Sequence, residues 1–311
     1  RETIIDLDGN IYEPLFDTTV NLVYKAVSTT DETDYANADY NVQVVVPGKY
    51  TKGAGDNQAP STLPAIREWK GNTGFFELTD TSAIIANTQV EKAVAEKMVT
   101  FFKDVLKRDI SVKEGTPAAG DIQLMIDSSI PEMGEEGYYM DVTDTVVVRA
   151  PQETGLLYGA ITAVQSLYSS EDQISIPQGI ARDYPAYKVR GAFLDVARMA
   201  FPLDYLEEMT KYMAWFKMNE FHLHLNDGAS QNYNPFRLES DLENLTAEDL
   251  YYTKEEYKNF QDMAADWGVE ILSEIETPGH AGAFNGVPGI KMIDNNYMDI
   301  NDPETVETMK G

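Results

Sequence analysis

Three stretches decide the fold: Val189-Arg190-Gly191-Ala192-Phe193-Leu194-Asp195-Val196, Glu220-Phe221-His222-Leu223-His224-Leu225-Asn226-Asp227, and Val269-Glu270-Ile271-Leu272-Ser273-Glu274-Ile275-Glu276-Thr277-Pro278-Gly279-His280. Each is an apolar strand that ends in ionisable residues and runs into a loop. Helical patterns lie between them. Pro202 opens the first, with the stripe Leu206, Met209, Met213 and Phe216. Thr253 and Glu256 form a capping box for the second, whose stripe is Tyr257, Phe260, Ala264 and Trp267. Asp302-Pro303 begins a third. Strands alternating with helices predict a parallel sheet, and polar groups at the carboxyl ends of successive strands are how a (β/α)8 barrel builds an active site. Residues 183–311 therefore read as the first three strands of an incomplete (β/α)8 TIM barrel, whose open edge needs further strands.

Upstream the pattern differs. Residues 1–60 read as a small β-rich unit, with strands at Thr19–Tyr24 and Asn41–Val46, closed by the linker-like run Lys52-Gly53-Ala54-Gly55-Asp56-Asn57-Gln58-Ala59-Pro60. Residues 61–182 read as an α+β accessory domain. Val94, Met98, Phe101 and Val105 recur at helical spacing, as do Leu156, Ile161, Val164 and Leu167, while Ile122–Ile126 and Val146–Val148 read as strands. The whole is an α/β chain of more than one domain.

Bulk composition narrows the partners. A formal charge of −28 and a pI near 4.3 disfavour nucleic acid and anionic membrane surfaces, both of which attract basic patches. A neutral partner such as a sugar is compatible. With no cysteine, neither a disulfide framework nor a thiolate site can form. No apolar run reaches the length of a membrane span. The chain begins with Arg and carries no signal peptide, so it reads as a piece of a longer protein.

All three histidines fall in the barrel-like part. Period-2 alternation puts His222 and His224 on one face, where two readings stay open. They are a metal-holding pair, or they are rings that fill a polar interior with hydrogen bonds. Glu276 and His280 flank Thr-Pro-Gly, a turn that can fold the ring back onto the carboxylate and leave its other nitrogen for a catalytic acid. Arg190 reads either as a fork for vicinal hydroxyls or as the partner of Asp195 or Asp227. The acidic run 237–256 reads as a solvated helix face and loop.

At these residues the chain resembles glycoside hydrolase family 20, the β-N-acetylhexosaminidases and lacto-N-biosidases. The likeness is carried by Val189–Arg198, Lys217–Asp227, Tyr252-Thr253-Lys254-Glu255-Glu256, and Gly268–Ile271 running to Pro278-Gly279-His280-Ala281. Leu63-Pro64-Ala65-Ile66-Arg67-Glu68-Trp69 through Thr154–Gly159 is similar to that family's accessory domain, so the resemblance spans residues 62–303.

The resemblance implies removal of terminal β-linked N-acetylhexosamine, or of a disaccharide such as lacto-N-biose, by a retaining route in which the substrate's acetamide attacks the anomeric carbon. It implies that Arg190 binds the sugar, that Asp227 supports the polar network, and that Glu276 and His280 relay to the general acid. The family's adjacent Asp and Glu stand at the end of a fourth strand, expected beyond Gly311, so this chain alone is expected to be inactive. Partners implied are N-acetylhexosamine-containing glycans and the remaining barrel half, in the same or a second polypeptide. The location implied is extracellular or at a bacterial cell surface. No cofactor and no metal are expected.

Three positions depart from the family pattern. Glu276 stands for the usual Asp, Leu223 for a common Trp, and Asp227-Gly228-Ala229-Ser230 for the usual Asp-Asp or Asp-Asn run. Two alternatives remain at this stage: a metal-dependent barrel hydrolase using His222 and His224, and a non-catalytic carbohydrate-binding module.

Overall fold

The structure is a computed structural model that describes residues 3–310 apart from 24, 32, 38–41, 54 and 229–234. It divides into two compact units, Arg1–Ala186 and Tyr187–Gly311.

In the first unit, β1 (Thr18–Leu22) pairs antiparallel with a later strand and β2 (Lys25–Val27) with β3 (Tyr35–Asn37); the partner of β1 is β4 (Val42–Val46). Tyr24 and Asn41, read at the ends of these strands, lie outside the described residues. Ile4, Val20 and Val46 form a small apolar core of their own. The linker-like run is fastened at Asn57, which bonds to Asn72 and Gly74 and accepts from the Trp69 indole. Gly71 is required where Asn57 crosses, since a Cβ there would lie 2.0 Å from the Asn57 carbonyl oxygen.

Seven strands follow with two helices: β5 (Glu68–Glu77), β6 (Ala83–Ile85), α1 (Gln89–Phe101), β7 (Ser111–Lys113), β8 (Ile122–Ile126), β9 (Tyr138–Val142), β10 (Val146–Ala150), α2 (Glu153–Ser169) and β11 (Ser175–Asp183). They form one mixed sheet in the order β5-β11-β9-β10-β8-β6-β7. Only β8 and β10 stand out in the sequence. β5 carries two glycines and little apolar alternation, and it owes its state to the long antiparallel pairing with β11.

Helix α1 starts at a Thr88–Glu91 capping box and buries Val94, Met98 and Phe101 as their spacing predicts. The stripe then slips. A π-helical turn at Phe102–Leu106 advances the buried face, so that Phe102 and Leu106 are enclosed and Val105 is half-buried. Helix α2 is buried on all sides from Gly155 to Leu167, because it packs on the sheet and on α1. A Cβ on Gly159 would meet Val148 Cγ1 at 2.3 Å and the Tyr138 ring at 2.9 Å. Gly159→Val should cost about 1–3 kcal/mol by overpacking, which outweighs the few tenths of a kcal/mol gained in helix propensity over Gly. The check is a lower urea midpoint; an unchanged one would show that the helix can back away.

The second unit alternates as its sequence predicts: β12 (Gly191–Asp195), α3 (Leu203–Trp215), β13 (Glu220–His224), α4 (Lys254–Asp266), β14 (Glu270–Glu274) and α5 (Pro303–Thr308). The three strands are parallel, in the order β12-β13-β14. Helix α4 has its Thr253–Glu256 capping box and buries Tyr257, Phe260 and Ala264, with Trp267 enclosed at its end. Pro202 caps α3 rather than opening it, and Phe216, expected in the stripe, lies exposed at the helix end. The acidic run is not helical between 237 and 253. Leu245 packs with Phe236, Ala281, Phe284, Val287 and Met298 in an apolar core beneath the loops that follow β13 and β14.

Candidate active site

The site is built where β12, β13 and β14 end. Parallel register sets Asp195 beside His224 and His224 beside Glu274, so three ionisable groups from three strands share one row. Alternation along β13 brings His222 to the same side. His222 Nε2 and His224 Nδ1 lie 3.0 and 3.1 Å from one oxygen, Glu274 Oε2. The histidine pair thus clasps a carboxylate.

The loops add the rest. After β13 the chain returns Asp227 to the strand end, where its buried Oδ2 accepts from His224 Nε2 at 2.8 Å and forms an ion pair with Arg198 Nη2 at 2.5 Å. Arg198 also pairs with Asp195 at 2.6 Å. After β14 the Thr-Pro-Gly turn folds back, and His280, at a φ of 50°, holds the left-handed conformation uncommon for a side chain of its size. Its Nδ1 lies 3.0 Å from Glu276 Oε2 and 3.3 Å from Asp227 Oδ2. Neither contact is aligned as a hydrogen bond, and Nδ1 is a buried atom without an aligned partner. Both carboxylates nevertheless lie within 3.3 Å of Nδ1. Asp227, Glu276 and His280, picked out from the sequence, therefore come together.

Arg190 stands apart from them. It precedes β12, at the amino end of the sheet, whereas the cluster lies at the carboxyl end. Its Nε donates to the Lys217 carbonyl at 2.6 Å and its Nη1 to the Tyr187 carbonyl at 2.8 Å. The expectation of a sugar-binding Arg190, and its alternative as the partner of Asp195 or Asp227, are both corrected here. Carbonyls at the strand entrance draw the guanidinium in, and Arg198 is the arginine that pairs with both carboxylates.

Electrostatics follow from the contacts. Burial alone pushes the His224 imidazole pKa down, but the hydrogen bonds to Asp227 and Glu274, with the charge of Asp195, more than reverse this and hold it above 6.5. A neutral ring donates from one nitrogen only, so a carboxylate at each nitrogen favours the imidazolium. Glu274 and Asp195 move the opposite way. Burial opposes their ionisation, yet His224 at the first and Arg198 at the second keep both below the ordinary carboxylate range.

Among the described residues, two sets of side chains present ligand-type atoms within 4.8 Å of one another: His224, Asp227 and His280, and His224, Glu274 and Glu276. In the first, the Arg198 guanidinium already occupies Asp227 Oδ2, and a cation there would meet a fixed positive charge. Of the departures read from the sequence, Ala229 and Ser230 lie outside the described residues. Sequence reasoning missed Glu274 and Arg198 as site residues. The Asp195-to-Arg198 spacing within one quoted stretch and the strand-end position of Glu274 were the available signals.

A parallel βα unit with carboxylates and imidazoles gathered at the carboxyl ends of its strands has the arrangement in which α/β folds place their sites. Sequence models of glycosyl hydrolase family 20 match both parts of the chain, the catalytic domain over residues 187–307 and domain 2 over residues 59–184. The chain belongs to that family. It is 27% identical to a lacto-N-biosidase of Bifidobacterium bifidum over 263 residues, which cover 81% of this chain and 22% of that protein. It is also 27% identical to a beta-hexosaminidase of Vibrio furnissii over 250 residues, covering 74% of this chain and 39% of the relative. Among solved structures, the fold matches a Streptomyces plicatus beta-hexosaminidase in complex with product, with a TM-score of 0.67 at 21% identity over 83% of this chain and 56% of that one. The GH20 beta-N-acetylhexosaminidase of Streptomyces coelicolor A3(2) gives 0.62 at 23% identity, over 73% and 49%. The chain thus spans less than two thirds of the length of these relatives.

Two outcomes follow from the geometry. The raised His224 pKa stabilises the fold fully below pH 6.5, and this stabilisation is lost as pH rises through the folded value. The urea midpoint should fall on that alkaline side, and in His224→Asn the fall should be shallower. Arg190→Ala should cost about 1–3 kcal/mol of stability through lost carbonyl partners, without raising KM in an active longer polypeptide. A raised KM at unaltered stability would instead put the guanidinium at the sugar.

Proposed function

We propose that this chain supplies the amino-terminal part of an exo-acting β-N-acetylhexosaminidase, secreted or held at a bacterial cell surface, that removes terminal β-linked N-acetylhexosamine from glycans. In this reading Tyr187–Gly311 contributes the first three strands of a (β/α)8 barrel, and residues 59–184 form the accessory domain that precedes it. The observation that carries the reading is the approach of Glu276, His280 and Asp227 at the strand ends of a segment that matches the family's catalytic domain.

The chemistry is retaining and substrate-assisted. The 2-acetamido oxygen attacks the anomeric carbon, the glycosidic bond breaks, and the leaving oxygen takes a proton from a general acid supplied by further barrel strands. Within this chain, Glu276 and Asp227 stand beside His280 Nδ1 as acceptors for a proton there once the ring is aligned in the complete site. The other nitrogen then faces the acid and tunes the proton affinity it needs near neutral pH. Resemblance to a lacto-N-biosidase over 81% of the chain favours, as a second substrate, a terminal lacto-N-biose unit.

The test uses chromogenic β-N-acetylglucosaminide and β-lacto-N-bioside with this chain and with a longer polypeptide from the same coding sequence. The longer one should turn over at least one of them and this chain neither; strong turnover by this chain would refute the placement of the acid. Glu276→Gln in the longer polypeptide should lower kcat by roughly 100-fold or more, and chelators should leave the rate unchanged.

A further inference from the structure

Asn226 has no part in the chemistry above, yet it is completely buried between the two loops that carry it. Its side chain makes three hydrogen bonds, all to the backbone of the Glu276–His280 turn. Oδ1 accepts from the Glu276 N–H at 2.7 Å, and Nδ2 donates to the Glu276 carbonyl at 3.1 Å and to the His280 carbonyl at 3.3 Å. Only this orientation of the amide works, since the reverse would set two donors face to face and one oxygen against two carbonyls.

The bonds replace a missing strand partner. The ladder between β13 and β14 continues one step, through Leu225 N–H to the Glu274 carbonyl, and then the backbones part. Beyond that point the Asn226 amide takes over as the bonding partner of the second chain. It grips both ends of a turn whose last residue, His280, is held at a φ of 50°. Such a conformation persists only where its surroundings enforce it.

We propose that Asn226 is a positioning residue, which fixes the Glu276–His280 turn and so sets the His280 imidazole between Glu276 and Asp227. Its consequence for catalysis rests on the function proposed above, whereas the positioning itself does not. The chain has only three histidines, so selective 15N labelling of the imidazoles resolves each one.

In Asn226→Ala the 15N and ring-proton signals of the His280 imidazole should move. His222, which contacts Glu274 and Phe193, should keep its own. An unmoved His280, or an equal displacement of His222 and His280, would overturn the proposal. Asn226→Ser gives the same reading if the alanine variant does not fold, and failure of both to fold would make Asn226 a general folding residue and sink the positioning role.

In the longer polypeptide, Asn226→Ala should lower kcat by roughly 100-fold with little change in KM. A displaced His280 with full kcat would leave the positioning in place and remove the pair from the proposed mechanism.

Discussion

The buried carboxylate of Asp227 is the constraint on which the site depends. A charge without solvent costs several kcal/mol unless it is paired and hydrogen-bonded, and this one lies 3% exposed at the end of a sheet. Arg198 and His224 meet that demand from two different elements, and His280 approaches from a third. Each partner is tied onward, Arg198 to Asp195, His224 to Glu274 and His280 to Glu276. Satisfying one buried charge thereby links the ends of β12, β13 and β14 into a single polar network. Breaking any link leaves a charge uncompensated, so the network responds as a unit.

Arg237 extends the same logic away from the chemistry. It is completely buried, and its guanidinium donates to the carbonyls of Val196 and Ala197, directly before Arg198, as well as to Asp249 and Leu250. A loop that would otherwise leave two carbonyls unsatisfied is thus fixed, and Arg198 is held at Asp227 from behind. Beneath it, Phe236, Leu245, Phe284 and Met298 give the two site loops an apolar floor. The described residues of these loops are irregular in backbone, and hydrogen bonds and packing take the place of a ladder there.

Legibility in the sequence followed the range of the interactions involved. The three strands and two long helices of the second unit were readable because each has a local signature: short apolar runs, a Thr253–Glu256 box, a stripe of spaced apolar residues. Asp227, Glu276 and His280 were readable because they close strands or flank a Pro-Gly turn. Arg190 was misread because its partners, the carbonyls of Tyr187 and Lys217, leave no mark on residue identity. Glu274 and Arg198 were missed because their roles depend on strand register, which no single stretch encodes. β5 and the π-helical turn at Phe102–Leu106 belong to the same class, set by pairing and packing at long range.

The charge count of the cluster bears on what it can favour. Four carboxylates, those of Asp195, Asp227, Glu274 and Glu276, face one guanidinium and three imidazoles. The chain as a whole is acidic too, at −28. A neutral sugar enters such a field without penalty, whereas an anionic ligand would be repelled. The acidic composition that argues against nucleic acid is thus repeated at this sheet end, where four carboxylates from two strands and two loops are held together by Arg198 and the histidines and leave a field that a neutral ligand tolerates.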